Sequence, residues 1–351
     1  MSTDSKIPLS DFITLQRGFD LPTAARKDGP VPVVASTGIA GYHNESKVEG
    51  PGVVIGRSGS IGGGQYIDED YWPLNTTLWV KDFKGNDPRF TYYLLRSIDF
   101  TRFNAGAGVP TLNRNHIASL QVPEYGRTEQ DRIGEILSAY DDLIENNRRR
   151  IQLLEQAARL LYKEWFVHLR FPGHEHAKIT DGVPEGWERK AIGELVLFKY
   201  GKALKQDDRV PGSYPVYGSS GIVGTHNKAL VAGPAIIVGR KGNVGSVYWS
   251  ISDFYPIDTV YYIEAENCSL YLFYALLHTQ FISTDVAVPG LNRDYAHSRT
   301  LLAPESKILT LFEQHAAIMH DQIEQLRKYN QSLAKARDLL LPRLMNGEVA
   351  V

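Results

Sequence analysis

A glycine-rich run behind a β-branched stretch is one way a chain holds phosphate, and residues 53–64, VVIGRSGSIGGG, place Gly56, Gly59 and Gly62 three apart. Such a loop works when its N–H groups open a helix, in a G-x-G-x-x-G or G-x-x-x-x-G-K-S/T arrangement. Neither spacing is present, and the GGQYIDEDYW that follows is poor helix material. Metal chemistry fares no better. GHEH at 173–176 lacks the i, i+4 spacing of a zinc helix, and the lone Cys268 with scattered histidines supplies no further ligand set. No G-x-S-x-G elbow, H-E-x-x-H helix or Pro-Pro dipeptide occurs, so the D/N-P-P-Y/F signature of amino-methyltransferases is missing as well. The residue pattern therefore predicts a chain that is not an enzyme.

What the glycines serve becomes visible when the sequence is slid along itself. IIVGRKGNVGSV, residues 236–247, repeats the run 183 positions later, and STGIAGYHNESKVEGPGVVIGRSGSIG matches SSGIVGTHNKALVAGPAIIVGRKGNVG at 13 of 27 positions without a gap. At that offset Gly18 meets Gly201, Pro32 meets Pro215 and Pro73 meets Pro256; later it slips to 179, where VPTLNRN (109–115) answers VPGLNRD (288–294). One unit is written twice.

Each copy opens with about 120 residues of short apolar runs, GVVIG and TTLWV or AIIVG and TVYYI, bounded by turn residues, the pattern of a twisted β-rich domain. Short helices are predicted at FTYYLLRSI and SLYLFYALLHTQF. The period then changes to a heptad. Ile133, Leu137, Tyr140, Ile144, Ile151, Leu154, Ala158, Leu161 and Trp165 hold it in the first copy, with Asn147 as the polar member. In the second, Phe312, Ala316, Met319, Ile323, Leu326, Leu333, Leu340 and Leu344 do so, with Asn330 and Arg337 polar. The expected fold class is α+β: two pseudo-repeated β-rich recognition domains separated by two long antiparallel α-helices forming a coiled coil. The expected boundaries are domain 1–126, helix 127–170, linker 171–184, domain 185–304 and helix 305–351.

Antiparallel helices put the domains at opposite ends of a rod about a pseudo-twofold axis. A helix of about 40 residues is roughly 60 Å long, while major-groove faces recur at about 34 Å, so two unlike readers at fixed spacing suit an asymmetric, split DNA target. The heptad predicts a register in which paired residue numbers sum to 477: Asn147 with Asn330, Ile144 with Leu333, Ile151 with Leu326 and Leu154 with Ile323. Paired asparagines satisfy each other's amides and fix the register.

In G-R-x-G-x-I/V-G, a turn without bulky side chains lets backbone N–H groups and Arg57 or Arg240 approach phosphates or base edges; turn geometry alone is the alternative reading of the glycines. If the half-sites differ, base readers lie where the copies differ. That singles out Ser58 and Ser60 against Lys241 and Asn243, Gln65 against Tyr248, and Arg17 against Tyr200. Lys199, Lys202 and Lys205 add positive charge, and the LNR repeats place Asn113, Arg114, Asn292 and Arg293 either at DNA or in a capped turn. His43-Asn44 and His226-Asn227 recur in structural or phosphate-contacting positions, and Arg148, Arg149 and Arg150 read as a solvated face of the coil.

The doubled order of STGIAGYHN and SSGIVGTHN, GRSGSIG and GRKGNVG, TLNRN, and the VPEGWE entry to the second domain resembles the specificity (S) subunit of type I restriction-modification systems over almost the whole chain. The resemblance implies a non-enzymatic subunit that reads a bipartite double-stranded DNA site across a non-specific gap. It implies methyltransferase (modification) subunits docked on the spacer helices and recognition domains, joined by restriction subunits. It also places S-adenosylmethionine-dependent adenine N6 methylation and ATP-driven translocation in those partners, leaving this chain without a cofactor. The modest length departs from the family and implies short loops. A modification-only or type IIB-like system, a tandem carbohydrate- or protein-binding module and a nucleotide-dependent transferase are the alternatives.

Composition sets the outer limits. The 351 residues are 43% hydrophobic and 22% charged, enough for two or three packed domains, and a net charge of −2 gives no global attraction to nucleic acid. One cysteine, an N-terminus without a basic or apolar leader and no bilayer-length apolar run predict a cytoplasmic chain without membrane contact.

Overall fold

The computed structural model describes residues 5–283 and 289–351. It divides into two compact units, Met1–Arg148 with Leu326–Val351, and Arg149–Gln325. Each unit thus holds one β-rich domain, the start of the helix that follows it and the end of the other long helix.

In the first unit the run GVVIG becomes the strand Gly52–Gly56, buried along its whole length because it lies between neighbours. Its antiparallel sheet runs Thr14–Arg17, Thr77–Asp82, Gly52–Gly56, Gly62–Ile67. A three-stranded sheet places Val31–Ala35 between Gly38–His43 and the parallel Trp72–Pro73. The helix Pro88–Ser97 starts where Asp87 Oδ1 accepts the Phe90 N–H at 2.7 Å, with proline at the first helical position. Val53, Ile55, Leu78, Phe90 and Leu94 form a core that takes Ile133 and Leu137 from the long helix Arg127–Tyr162, and Leu341, Leu344 and Met345 from the long helix Ser306–Met345.

Those two helices run antiparallel here. The Tyr125 hydroxyl donates to Leu344 O at 2.7 Å, while Asn147 Nδ2 donates to Asn330 Oδ1 at 2.9 Å, so numbers rise along one helix as they fall along the other. Asn330 Nδ2 also donates to Ile144 O at 3.3 Å, and Ile144 and Leu326 are buried with Leu333 half-buried beside them. Arg337, a polar member of the heptad, is 8% exposed and is paired with Asp141, whose other oxygen accepts from the Tyr93 hydroxyl at 2.7 Å. A buried guanidinium needs such a partner.

The second unit repeats the plan: a sheet of Lys199–Tyr200, Val260–Ile263, Ala235–Gly239 and Val247–Ser250, and a smaller one of Gly221–His226, Tyr214–Gly218 and Tyr255–Pro256. The helix Leu270–His278 starts at the Ser269 cap. An aromatic cluster fills the junction with the helices: Trp165 and Tyr162 lie 6.0 and 6.2 Å from Phe312, ring centre to ring centre, in edge-on contact. Leu154 and Ile151 are half-buried and Ile323 is buried. The first long helix ends in a π-helical turn, Lys163–Val167, before Pro172. No helix among the described residues is long and apolar enough to cross a membrane.

Candidate nucleic-acid interface

The glycine loops close on themselves. A Cβ on Gly56 would stand 2.0 Å from Ser60 O, and one on Gly239 would stand 2.2 Å from Asn243 O, so both first glycines are required by close backbone approach. The N–H groups beyond them are already used. Arg57 and Ser58 both donate to Thr76 O (2.8 and 3.0 Å) and Gly59 donates to Pro110 O (3.0 Å); Arg240 and Lys241 donate to Thr259 O (2.8 and 3.1 Å) and Gly242 to Pro289 O (3.0 Å). Three successive N–H groups in each loop are thus committed to carbonyls distant in sequence, which leaves the tip of the loop and its side chains to reach outward.

The arginine side chains are held in the same way in both copies. Arg57 Nη1 donates to Asn75 O at 3.1 Å and Arg240 Nη1 to Asp258 O at 3.0 Å, while both side chains keep partial exposure. Arg17, at the end of the edge strand, is exposed; burial first and the Arg17 charge second lower the pKa of Arg57. Arg114 Nη1 donates to Leu15 O at 3.3 Å, so its anchor lies on the strand that carries Arg17. In the second copy the Arg17 position is Tyr200, 48% exposed, and the guanidinium groups of Arg240 and Arg293 each lie 5.1 Å from its ring centre. Arg240 is also 5.8 Å from the Tyr261 ring. Nε of Arg293 is buried without a hydrogen-bond partner. One corner thus concentrates three arginines, the other two arginines on a tyrosine.

Other candidates serve the fold. Gln65 Nε2 donates to Ala35 O at 2.9 Å, and the Tyr248 hydroxyl donates to Ser219 O at 3.1 Å, so unlike residues close equivalent turns. Asn113 Oδ1 accepts from Asn115 N at 3.0 Å, and Asn292 Oδ1 from Asp294 N at 2.8 Å and Tyr295 N at 3.1 Å; both cap short helices whose first residues are Arg114 and Arg293. Lys199 is ion-paired with Glu264, which removes its charge from the local positive field. Lys202 and Lys205 are exposed, the latter beside Asp207 and Asp208. Ser60, Lys241 and Asn243 are exposed and Ser58 is half-buried against Thr111. The histidines are structural: Nδ1 of His43 accepts from Lys27 N at 3.0 Å and that of His226 from Val210 N at 3.1 Å.

The bond from Gly59 N–H to Pro110 O brings a further exposed side chain beside the first glycine loop. Val109, 60% exposed, tops a loop in which Asn104 Oδ1 accepts from Gly106 N (3.0 Å) and Thr111 N (2.9 Å). Its sequence signal was the VP of VPTLNRN; the matching Val288 lies outside the described residues. Burial, with the Glu313 charge second, pushes the thiol of Cys268 up to about 12. Among the described residues no group of three or more His, Cys, Asp or Glu could hold a metal ion.

Known proteins give this architecture a family. The model of the type I restriction modification DNA specificity domain matches residues 2–156 and again 184–292. The MjaIX specificity subunit of a type I restriction enzyme from Methanocaldococcus jannaschii is 24% identical over 80% of this chain and 74% of its own length. The HindI specificity subunit from Haemophilus influenzae is 21% identical over 82% of this chain and 84% of its own length. A crystal structure of a type I restriction-modification S subunit from M. genitalium superposes with a TM-score of 0.63 over 97% of this chain and 96% of that one, at 18% identity, and so shares its fold. Two matches to one domain model, on two copies of one β-rich unit each followed by a long helix, establish that the chain belongs to the type I restriction-modification DNA specificity family.

Proposed function

We propose that this chain is the DNA sequence-recognition subunit of a type I restriction-modification complex, each β-rich domain reading one half of an asymmetric bipartite site. The observation that carries the reading is the doubled corner. Arg57 and Arg240 occupy equivalent places with equivalent anchors, which suits contacts common to both halves, such as phosphates. Arg17 and Tyr200 occupy the same place with different chemistry, which suits discrimination between bases. The recognition domains are residues 1–126 and 185–304, and the spacer helices set the gap between half-sites. The chain itself is non-catalytic and binds no cofactor. Methyltransferase subunits bring S-adenosylmethionine, restriction subunits bring ATP-driven translocation and cleavage, and the assembly works in the cytoplasm.

The test is co-expression with the methyltransferase partner and mapping of the modified adenines. A split motif is expected, and exchanging residues 1–126 for those of a relative should change one half only. A single continuous motif, or changes in both halves, refutes the reading.

A further inference from the structure

The second unit contains two adjoining clefts of about 430 and 490 Å³ that share Tyr162, His278 and Gln280. The first is lined by Arg159 of the long helix and Lys163 of the turn that ends it, the second by Arg189 on the strand Glu188–Ala191 and Arg299 just before its partner strand Thr300–Ala303. Among the described residues no carboxylate lines either cleft, although the chain as a whole is net negative. The acid between Lys163 and Trp165 is turned elsewhere: Glu164 meets His168 at 2.8 Å and Arg170 at 3.0 Å. The field of Arg159 reaches the buried Tyr274, as does that of Glu155, which is not among the lining residues. The walls, Tyr162, Phe166, Tyr274 and Leu301, are buried, so the arrangement is a set of exposed cations on a rigid apolar base. Four cations lining two adjoining clefts that no carboxylate lines repel one another, and a multivalent anion relieves that repulsion.

This cluster is not part of the duplicated plan. By the repeat, Arg159 and Lys163 correspond to Pro342 and Asn346, and Arg299 to Leu120; only Arg189 keeps a cation, Lys6. A feature needed for reading a half-site in general would occur in both copies.

We propose that the clefts lined by Arg159, Lys163, Arg189 and Arg299 bind phosphate groups of the DNA duplex flanking the half-site read by the second domain, extending the contact on that side only. The inference rests on the reading under Proposed function. Backbone phosphates are the favoured source because they offer several charges at regular spacing to a double cleft, whereas a free phosphate fills one position. Each phosphate neutralised releases condensed counterions, so the salt dependence of binding counts the contacts, about 0.9 in log–log slope per phosphate.

The experiment uses the full chain in complex with its methyltransferase partner and a duplex carrying the mapped site. The variant Arg159→Gln/Lys163→Gln/Arg189→Gln/Arg299→Gln is expected to lower the slope by about 3.6, one phosphate per cation, and to shorten the footprint on one flank, with the methylated sequence unchanged. Arg159→Gln/Lys163→Gln, confined to exposed helix positions, should take about half that change and guards against misfolding of the fourfold variant. An unaltered slope and footprint in a folded variant overturn the inference. So does saturable binding of inorganic phosphate to the wild type, lost in the variant while the slope stays constant, or loss of methyltransferase co-purification at constant slope, which would make the clefts a protein dock. A wild-type complex that reads no sequence sinks the proposed function and this inference together; a wild type that reads and a variant of equal slope sinks this inference alone.

Discussion

Replacing Asn147 by leucine removes the donor that reaches Asn330 Oδ1 at 2.9 Å and leaves that oxygen facing a methyl group. An orphaned buried acceptor costs about 1–3 kcal/mol, and because both asparagines are only half-buried the lower end applies, about 1 kcal/mol. Asn330→Leu loses more. It takes away the acceptor for Asn147 and also the donor to Ile144 O, so about 1–2 kcal/mol is expected. The double substitution removes both amides, leaves only the side-chain donor to Ile144 O unreplaced, and adds two leucines beside the buried Ile144, each gaining about 1 kcal/mol from partial burial, which offsets that loss. It should match or exceed the wild type. The two changes therefore couple by about 2 kcal/mol or more in a double-mutant cycle, read from urea midpoints of the four full-length proteins at equal slope. A double variant destabilised by the sum of the singles would refute the claim that the amides satisfy each other. What the leucine pair gives up is register, since leucine tolerates a shifted neighbour and asparagine does not.

Two further outcomes follow from the same geometry. Gly56→Ala, whose Cβ would stand 2.0 Å from a backbone oxygen, should destabilise by more than about 2 kcal/mol, whereas Gly59→Ala, at φ +84° with its nearest neighbour 3.9 Å away, should cost about 1 kcal/mol; thermal melts that rank them the other way contradict the loop description. His297 gives a pH dependence: burial, with the Arg293 charge second, lowers its imidazole below the usual value while Nε2 accepts from Phe198 N at 3.0 Å. The neutral form is favoured by folding, so its contribution is complete above the unfolded value of about 6.5 and is lost as pH falls through the lowered folded value. His297→Gln should flatten the loss of stability on the acid side of pH 6.5, and an unchanged slope would count against the assignment.

Much of this protein could be read from its residues because the signals are local or periodic. The duplication is visible as identity at a fixed offset, and the long helices as a heptad that Gly and Pro leave nearly uninterrupted from 128 to 168. The asparagine pair followed from one sum. What stayed hidden depends on partners far away in the chain. Nothing near GRSGSIG reveals that Thr76 O and Pro110 O take its N–H groups, and nothing near Lys199 reveals Glu264. Difference between copies also conceals that two residue types can do one structural job. Gln65 and Tyr248 differ in every chemical respect except a donor at the right distance from a turn carbonyl.

The composition of the first unit has a bearing on synthesis. Leu341, Leu344 and Met345 belong to its core, and the Tyr125 hydroxyl waits for a carbonyl 219 residues downstream. The unit formed by Arg149–Gln325 is continuous in sequence and can close as soon as it is made. On the ribosome, then, the stretch translated first is completed last, and until it is, an unfinished apolar surface stays open to chaperones and proteases.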